Sequence, residues 1–513
     1  MRHTVNNPAS NHPTPLVERA ASFARRLAVH APEGVFTYAD LLAASARAGT
    51  RLLAGRDDLE GARIAYLVPP GWAYVATQWA IWRGGGMAVP LAVSHPLPEL
   101  AYVLDDAEPE AVVAHPDLAA RVAEVAAERR IPLLTTSALL RDGPTGSLPE
   151  PRPERPALML YTSGTTGRPK GVVLTHGNVL AQVASLVEAW GWSPDDHILL
   201  SLPLHHVHGI VNVLTCALYS GAVCQMLPRF DATTVWERLA RGDVTLYMAV
   251  PTIYRRLIEA WDAADAGTRA RWSRGAAACR LMVSGSAALP VPTLEHWEEI
   301  TGHRLLERYG MTEIGMGLSN PLHGVRRPGH VGRPLPGVDV RLVDERGRPV
   351  PEGAPGLIEV RGPGVFQAYW RRPEETAAAF TRDGWFRTGD RAVVEDAAYR
   401  ILGRESVDIL KTGGEKVSAL EIEDVLRSHP GVADCAVVGV PDARWGERVC
   451  AAVVAGRGAR PPDPEALRTF ARKRLAPYKV PREVRVVAEL PLNAMGKVVK
   501  PAVRELFANP GEG

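Results

Sequence analysis

Cysteine is scarce in this chain: five thiols in 513 residues, at Cys216, Cys224, Cys279, Cys435 and Cys450, with no Cys-x-x-Cys pair and no grouping with histidine at zinc spacing. That excludes a disulfide-stapled scaffold and a structural zinc site, and it reads as reduced thiols in a cytoplasmic enzyme. Charge imbalance is lacking too. The 59 basic and 57 acidic residues leave a formal net charge of +2, with no long run of one sign, so neither nucleic acid nor a membrane surface is an expected partner, and no obligatory protein partner is evident. The opening "MRHTVNNPASNHPTP" has no apolar core and does not read as a secretory signal; the Arg-rich "LVERAASFARRLAVHAP" after it contains Glu18 and reads as a first structural helix rather than a transit peptide. One stretch, Gly209 to Leu227, approaches bilayer length, but Asn212, Gln225 and the Ser220-Gly221 break make it a buried helix followed by a strand. No internal repeat with a period of roughly 20 to 50 residues is visible.

What is present is an ordinary globular composition, 46% hydrophobic, on a chain too long for one core. The apolar runs "ARIAYLV" (62–68) and "GMAVPL" (86–91) bracket a helical "WAYVATQWAIWRG", and "AVVAH" (111–115) and "IPLLTT" (131–136) bracket "PDLAARVAEVAAERR". Strand, helix, strand in that order implies parallel sheets covered by helices. "DGPTGSLPEPRPERP" (142–156) is a Pro-rich surface connection. From about residue 330 short strands broken by Gly and Pro suggest a smaller antiparallel unit, and after "YRILGRESVDIL" a new alternation of helices and strands begins. A boundary near Gly403 to Ser406 divides the chain into 1–403 and 404–513.

"YTSGTTGRPKG", Tyr161 to Gly171, follows the apolar "ALML" and packs four Ser/Thr hydroxyls, three glycines and a lysine into eleven residues. Such a loop can wrap an anion with backbone N–H groups, hydroxyls and the Lys170 charge, which suits a polyphosphate. Taken alone it also fits a Ser/Thr/Gly-rich surface turn. It is not a Walker loop, because the residue five after Gly164 is Pro169.

With this loop come "SLPLHHVHG" (201–209), "LMVSGSAALP" (281–290), "ERYGMTE" (307–313), "GWFRTGD" (384–390), "ILGRESVDILKTGGEKVSALEIE" (401–423) and "PLNAMGKVVK" (491–500). These seven blocks, in this order across roughly residues 30–505, resemble the adenylate-forming superfamily of acyl-CoA synthetases, adenylation domains and luciferases. Within it, "PLHHVHGIVN", "VSGSAALP", "LERYGMTEIGM" and "KTGGEKVSALEIE" are most similar to malonyl-CoA synthetases. The resemblance implies an α/β fold: a large N-terminal domain of two α/β subdomains plus a distorted β-barrel, and a small mobile α+β C-terminal domain. It implies a two-step reaction with ATP, Mg²⁺ and coenzyme A (CoA), in which a carboxylate attacks the α-phosphate to give an acyl-adenylate and pyrophosphate, and a thiol then displaces AMP.

Both steps are limited by charge, so the site needs cations and aligned donors. By resemblance, Thr162, Ser163, Gly164, Thr165, Thr166, Gly167 and Lys170 hold phosphate, and Lys497 is the mobile lysine that bridges carboxylate and α-phosphate. Glu313 is the expected Mg²⁺ ligand, Thr312 a donor to the α-phosphate, and Tyr309, Gly310 and Met311 lie beside the adenine with Ser284, Gly285, Ser286 and Ala287. Asp390 fits the carboxylate that accepts the ribose hydroxyls, with Arg404 assisting, although an Asp after a Gly turn also suits a helix cap. His206 matches the aromatic guard of the acyl pocket, and His205, His206 and His208 lack a further metal ligand in view. Lys411, Gly413 and Gly414 belong to a face that receives CoA after the small domain rotates. Lys416, Arg472, Lys473 and Lys479 are further candidates for its phosphates, and the hinge position, commonly Asp or Lys in relatives, is Ser406.

Arg308 stands where many relatives carry a small uncharged residue. A buried arginine is costly unless paired, so it predicts an anionic far end on the substrate, a dicarboxylic acid such as malonate or methylmalonate. Arg256 is a second candidate, and Met316, with Met311, would shape the remaining volume. Arg308 paired with Glu307 and Arg256 on an open helix face is the competing structural reading. The competing functions are a ligase of the same fold for a monocarboxylic acid, an adenylation enzyme loading a carrier protein, and a nucleotide-binding regulator without catalysis. Intact Lys497, Glu313 and Asp390 argue against the last, and no carrier "GGxS" segment follows the last block.

Overall fold

The computed structural model describes residues 15–150, 152–162, 168–412, 415–442, 444–456, 462–493 and 497–507. Two helix-covered sheets form the bulk of it. The first has nine strands in the order Arg333–Pro334, Gly315–Ser319, Leu306–Met311, Leu281–Ser284, Leu246–Ala249, His197–Leu200, Val223–Met226, Leu27–Ala31 and Gly34–Thr37. From Leu306–Met311 through Leu27–Ala31 its neighbours are parallel, and only the margins are antiparallel. The second has seven, Ala368–Tyr369, Lys170–Thr175, Pro156–Thr162, Met87–Pro90, Arg63–Leu67, Ala111–Ala114 and Leu133–Thr135. Its parallel strands are joined through the helices Trp72–Arg83 and Pro116–Glu128, as the apolar runs predict. Trp72–Arg83 has no separate polar face, and nine of its twelve residues are buried, Thr77 and Gln78 among them, because it is enclosed between elements rather than lying on the surface.

A four-stranded antiparallel sheet follows, Asp339–Val343, Gly356–Arg361, Phe386–Glu395 and Ala398–Arg404, in the place expected of the distorted barrel; a Gly332 to Tyr399 bridge ties it to the nine-stranded sheet. The last unit is five-stranded, Glu415–Ser418, Ile409–Thr412, Gly446–Ala455 and Val432–Asp442, with Glu483–Val487 parallel to Gly446–Ala455. It has its own apolar clusters, one around Leu410, Ile422, Val449 and Leu467, another around Val438, Val503 and Phe507.

Two expectations are adjusted. The first helix covers only Leu16–Ala21, and Leu27–Ala31 is a strand. Pairing of Val29 with Cys224 decides this: a sheet neighbour distant in sequence outweighs a locally amphipathic pattern. Gly209 to Leu227 does fold as helix then strand, but the helix opens with a π-helical segment, His208–Thr215, before Cys216–Ser220, and Gly221 ends it in the left-handed region. Among the described residues no helix is long and apolar enough to cross a membrane. All five cysteines are buried and free.

Candidate active site

The site lies at the carboxyl ends of the parallel strands of the first sheet, where an α/β sheet offers a crevice to ligands. Leu281–Ser284 and Leu306–Met311 run side by side there, with Ser284 opposite Glu307. Leu306–Met311 continues into a hairpin with Gly315–Ser319, so Thr312 and Glu313 occupy the turn. Gly310 admits no side chain, because a Cβ would stand 2.0 Å from the Gly315 carbonyl oxygen.

Arg308 is buried here with two of its donors unmatched. It is 3% exposed, and its Nε and Nη1 have no hydrogen-bond partner among the described residues. Its Nη2 donates to Ser286 Oγ at 3.3 Å, and the same hydroxyl lies 3.4 Å from His208 Nδ1. Glu307, the neighbouring acid, is not its partner: Glu307 Oε1 accepts the Gly329 N–H at 3.0 Å, and burial pushes its carboxyl up to about 8. Burial without a counter-charge drives the Arg308 guanidinium down to about 9. Gly285 gives it room, since a Cβ there would meet the guanidinium carbon at 2.5 Å. Ser286 is held at φ 70°, in the left-handed region, and this turns its hydroxyl between the arginine and the histidine.

The segment assigned to adenine, Ser284 to Ala287, is thus also the wall of the Arg308 pocket. His208 is 4% exposed and its Nε2 has no partner; burial first, then the Arg308 charge, holds it neutral, well below the ordinary histidine range. Motif reading matched His206 to the pocket guard and left open which of His205, His206 and His208 faces the pocket. His206 and His208 both face the cations of the site. His206 is pushed down to about 4 by burial and then by the Lys497 charge, whereas His205 packs edge-on against His95. The orienting role of Ser286 is what motif reading missed, because its hydrogen bonds to Arg308 and His208 exist only once the chain has folded. Among the described residues no three potential metal ligands cluster.

Asp390 faces the same space from the antiparallel sheet. The Tyr309 hydroxyl donates to its Oδ2 at 2.6 Å and Arg404 Nε to its Oδ1 at 2.9 Å. Glu313 is 5% exposed and burial raises its pKa; its Oε1 accepts the Tyr369 hydroxyl at 3.0 Å. Thr162 and Lys170 face each other at the ends of the phosphate-loop hairpin. Lys170 pairs with Glu375 and lies 5.4 Å from the centre of the Tyr369 ring. Ser163, Gly164, Thr165, Thr166 and Gly167 lie outside the described residues, as do Gly413 and Gly414.

Lys497, carried by the last unit, keeps part of its side chain open to solvent; desolvation of the rest and the charges of Arg308 and Arg404 hold its pKa below the ordinary lysine value, opposed by Asp390. Of the residues expected to meet CoA, Lys411 is exposed on Ile409–Thr412, and Lys416 pairs with Glu345 and Glu405. Arg472 pairs with Glu465 and Lys479 with Glu421. Arg256 is not gathered with Arg308; it is exposed, over the Phe230 ring at 4.6 Å, while its neighbour Arg255 reaches Asp434 of the last unit at 2.8 Å. Met316 is buried behind Gly310, and Met311 packs partly exposed beside it.

The family model described as "AMP-binding enzyme" matches residues 16–370, and "AMP-binding enzyme C-terminal domain" matches 421–497. The chain is 46% identical over 545 residues to a mitochondrial malonate–CoA ligase, ACSF3, of Homo sapiens, covering 98% of this chain and 94% of that protein. It is 41% identical to a malonate–CoA ligase of Arabidopsis thaliana, covering 90% and 80%. The crystal structure of ATP-bound MatB from Rhodopseudomonas palustris superposes with a TM-score of 0.89 at 36% identity, covering 96% of this chain and 99% of that one.

Proposed function

We propose that this chain, which belongs to the AMP-binding enzyme family, joins malonate to CoA with conversion of ATP to AMP and pyrophosphate. One malonate carboxylate attacks the α-phosphate and expels pyrophosphate, giving malonyl-AMP. The CoA thiolate then attacks the acyl carbon and expels AMP. The observation that carries the choice of acid is Arg308, a buried cation with two donors unused. Its fork suits the second carboxylate of a dicarboxylic acid, with Ser286 and the neutral His208 completing the donor set. The full-length likeness to proteins named malonate–CoA ligases supports the same choice.

Within that reading Lys497 bridges the reacting carboxylate and the α-phosphate, Thr312 donates to the phosphate, and His206 guards the acyl pocket. The 162–170 loop cradles the β- and γ-phosphates, and Tyr309, Asp390 and Arg404 take the nucleoside. Glu313 fits Mg²⁺: it is a buried carboxylate, hydrogen-bonded to Tyr369 but in no ion pair among the described residues, whose ionised form burial disfavours and a cation would favour, and Mg²⁺ accepts one carboxylate with phosphate oxygens and water. Bound there, Mg²⁺ would offset phosphate charge. Residues 404–513 then turn about Ser406 to exchange the Lys497 face for the Lys411 face. Arg256 is retained as an entrance charge. The five reduced cysteines support a cytoplasmic location, and the vertebrate relatives named as mitochondrial make cell fractionation the deciding measurement.

Pyrophosphate release against malonate, methylmalonate, succinate, acetate, octanoate and benzoate tests the reading. Malonate or methylmalonate should give the highest kcat/KM, and greatest turnover with a monocarboxylate would sink it.

A further inference from the structure

Lys497 lies beside a short antiparallel bridge of the last unit. Leu492 bridges Val498, the Asn493 N–H donates to the Lys497 carbonyl at 2.8 Å, and the Lys497 N–H returns to Asn493 Oδ1 at 3.0 Å. Val498 packs against the apolar cluster of Leu490, Val503 and Phe507, and a second lysine three residues past Lys497 adds a polar tie to the rest of the chain. Lys500 opens the helix Lys500–Glu505, and its side chain is 11% exposed. Its Nζ pairs with Glu423, donates to the Val437 carbonyl at 2.7 Å and lies 3.7 Å from Asp408 Oδ1.

Both acids are themselves engaged. Glu423 accepts the Val437 N–H at 2.8 Å and Arg427 Nη2 at 3.3 Å. Asp408 Oδ2 accepts the Arg404 N–H at 3.1 Å, and Arg404 Nε holds Asp390 at 2.9 Å. A continuous polar path therefore runs from the Lys497 segment through Lys500 and Asp408 to the turn 405–408 that joins the two parts of the chain, and on through Arg404 to Asp390. The helix does not depend on this charge to stay docked, because Val503 and Phe507 are anchored in their own apolar cluster.

We propose that Lys500 is a positioning residue for acyl-adenylate formation: its ammonium, clasped by Glu423 and Asp408, fixes the reach of Lys497 into the site while the joining turn holds Arg404 on Asp390. This rests on the role given to Lys497 above. It differs from a plain buried ion pair in what it predicts, because a misplaced Lys497 harms only the step that uses Lys497.

Lys500→Met, Lys500→Arg and Lys497→Ala are compared with the parent in three assays: pyrophosphate release with malonate and no CoA, thioester formation from supplied malonyl-AMP and CoA, and the urea midpoint. Lys500→Met should lower kcat of the first assay about 10- to 100-fold, the scale of an ångström's misplacement, with KM for ATP and malonate within about twofold. The second assay should stay near the parent, and Lys500→Arg should recover part of the loss. Equal falls in both half-reactions that track a lower urea midpoint would make Lys500 structural and overturn the proposal. So would a first half-reaction unchanged in Lys500→Met. If Lys500→Met does not fold, Lys500→Arg decides: it must depress the first half-reaction more than the second. Loss in Lys497→Ala without loss in Lys500→Met removes only the positioning role, whereas an unaffected Lys497→Ala removes the reading beneath it.

Discussion

Replacing Arg308 by methionine keeps most of its volume and removes its charge, and the structure sets the size of the effect. Two donors, Nε and Nη1, have no partner among the described residues. A hydrogen bond to a charged group contributes about 1.5–3 kcal/mol, so a carboxylate taking both is worth roughly 3–6 kcal/mol. At about 1.4 kcal/mol per decade, the variant should lose about 10²- to 10⁴-fold in kcat/KM for malonate. Acetate, which cannot reach both the guanidinium and the α-phosphate, should lose little. Stability should move the other way. A guanidinium driven down to about 9 by burial alone binds its proton less tightly folded than unfolded, so below that pH the folded state carries the desolvation cost. An apolar replacement should therefore stabilise the ligand-free protein by about 1–4 kcal/mol, on the scale seen when buried charges are replaced, and so raise its urea midpoint. Steady-state pyrophosphate release with malonate and acetate, together with urea unfolding, reads both effects. Equal losses for the two acids, or a destabilised variant, would refute the reasoning, the second because it would reveal an acid that Arg308 had been neutralising.

Gly285→Ala should act on the same contact without touching the charge: a Cβ 2.5 Å from the guanidinium must displace it, so malonate kcat/KM should drop about 10- to 100-fold while KM for ATP, measured by pyrophosphate release, shifts less. Lys497→Ala should suppress malonyl-AMP formation while thioester formation from supplied malonyl-AMP persists, and rapid-quench assays of the two half-reactions check this. His208 is buried neutral, with its folded pKa well below the unfolded value. Between these values the unfolded chain binds the extra proton, so stability is lost as pH falls below about 6.5. His208→Gln should flatten the slope of unfolding free energy against pH there by on the order of 1.4 kcal/mol per unit, as urea titrations at a series of pH values would record.

The sequence by itself determined the parts that depend on local pattern. Apolar runs alternating with helical ones specify parallel sheets because strand and helix bury side chains at different periods, and 62–68, 86–91 and 111–115 fold as expected. One glycine was legible for a related reason: a strand that must clear a neighbouring backbone has no room for a side chain, and Gly310 beside the Gly315 carbonyl is an instance. Tertiary structure decided the rest. Leu27–Ala31 became a strand through a neighbour nearly two hundred residues away, and the partners of the arginines were open until the chain folded. Adjacency favoured Glu307 for Arg308, yet successive residues of a strand point to opposite faces, so Glu307 turns to Gly329 and Arg308 to Ser286. Arg255 and Arg256 diverge on their helix in the same way, one to Asp434 and the other over Phe230. Burial without a counter-charge, the property that makes Arg308 informative, is created only when strands from distant parts of the chain close around it.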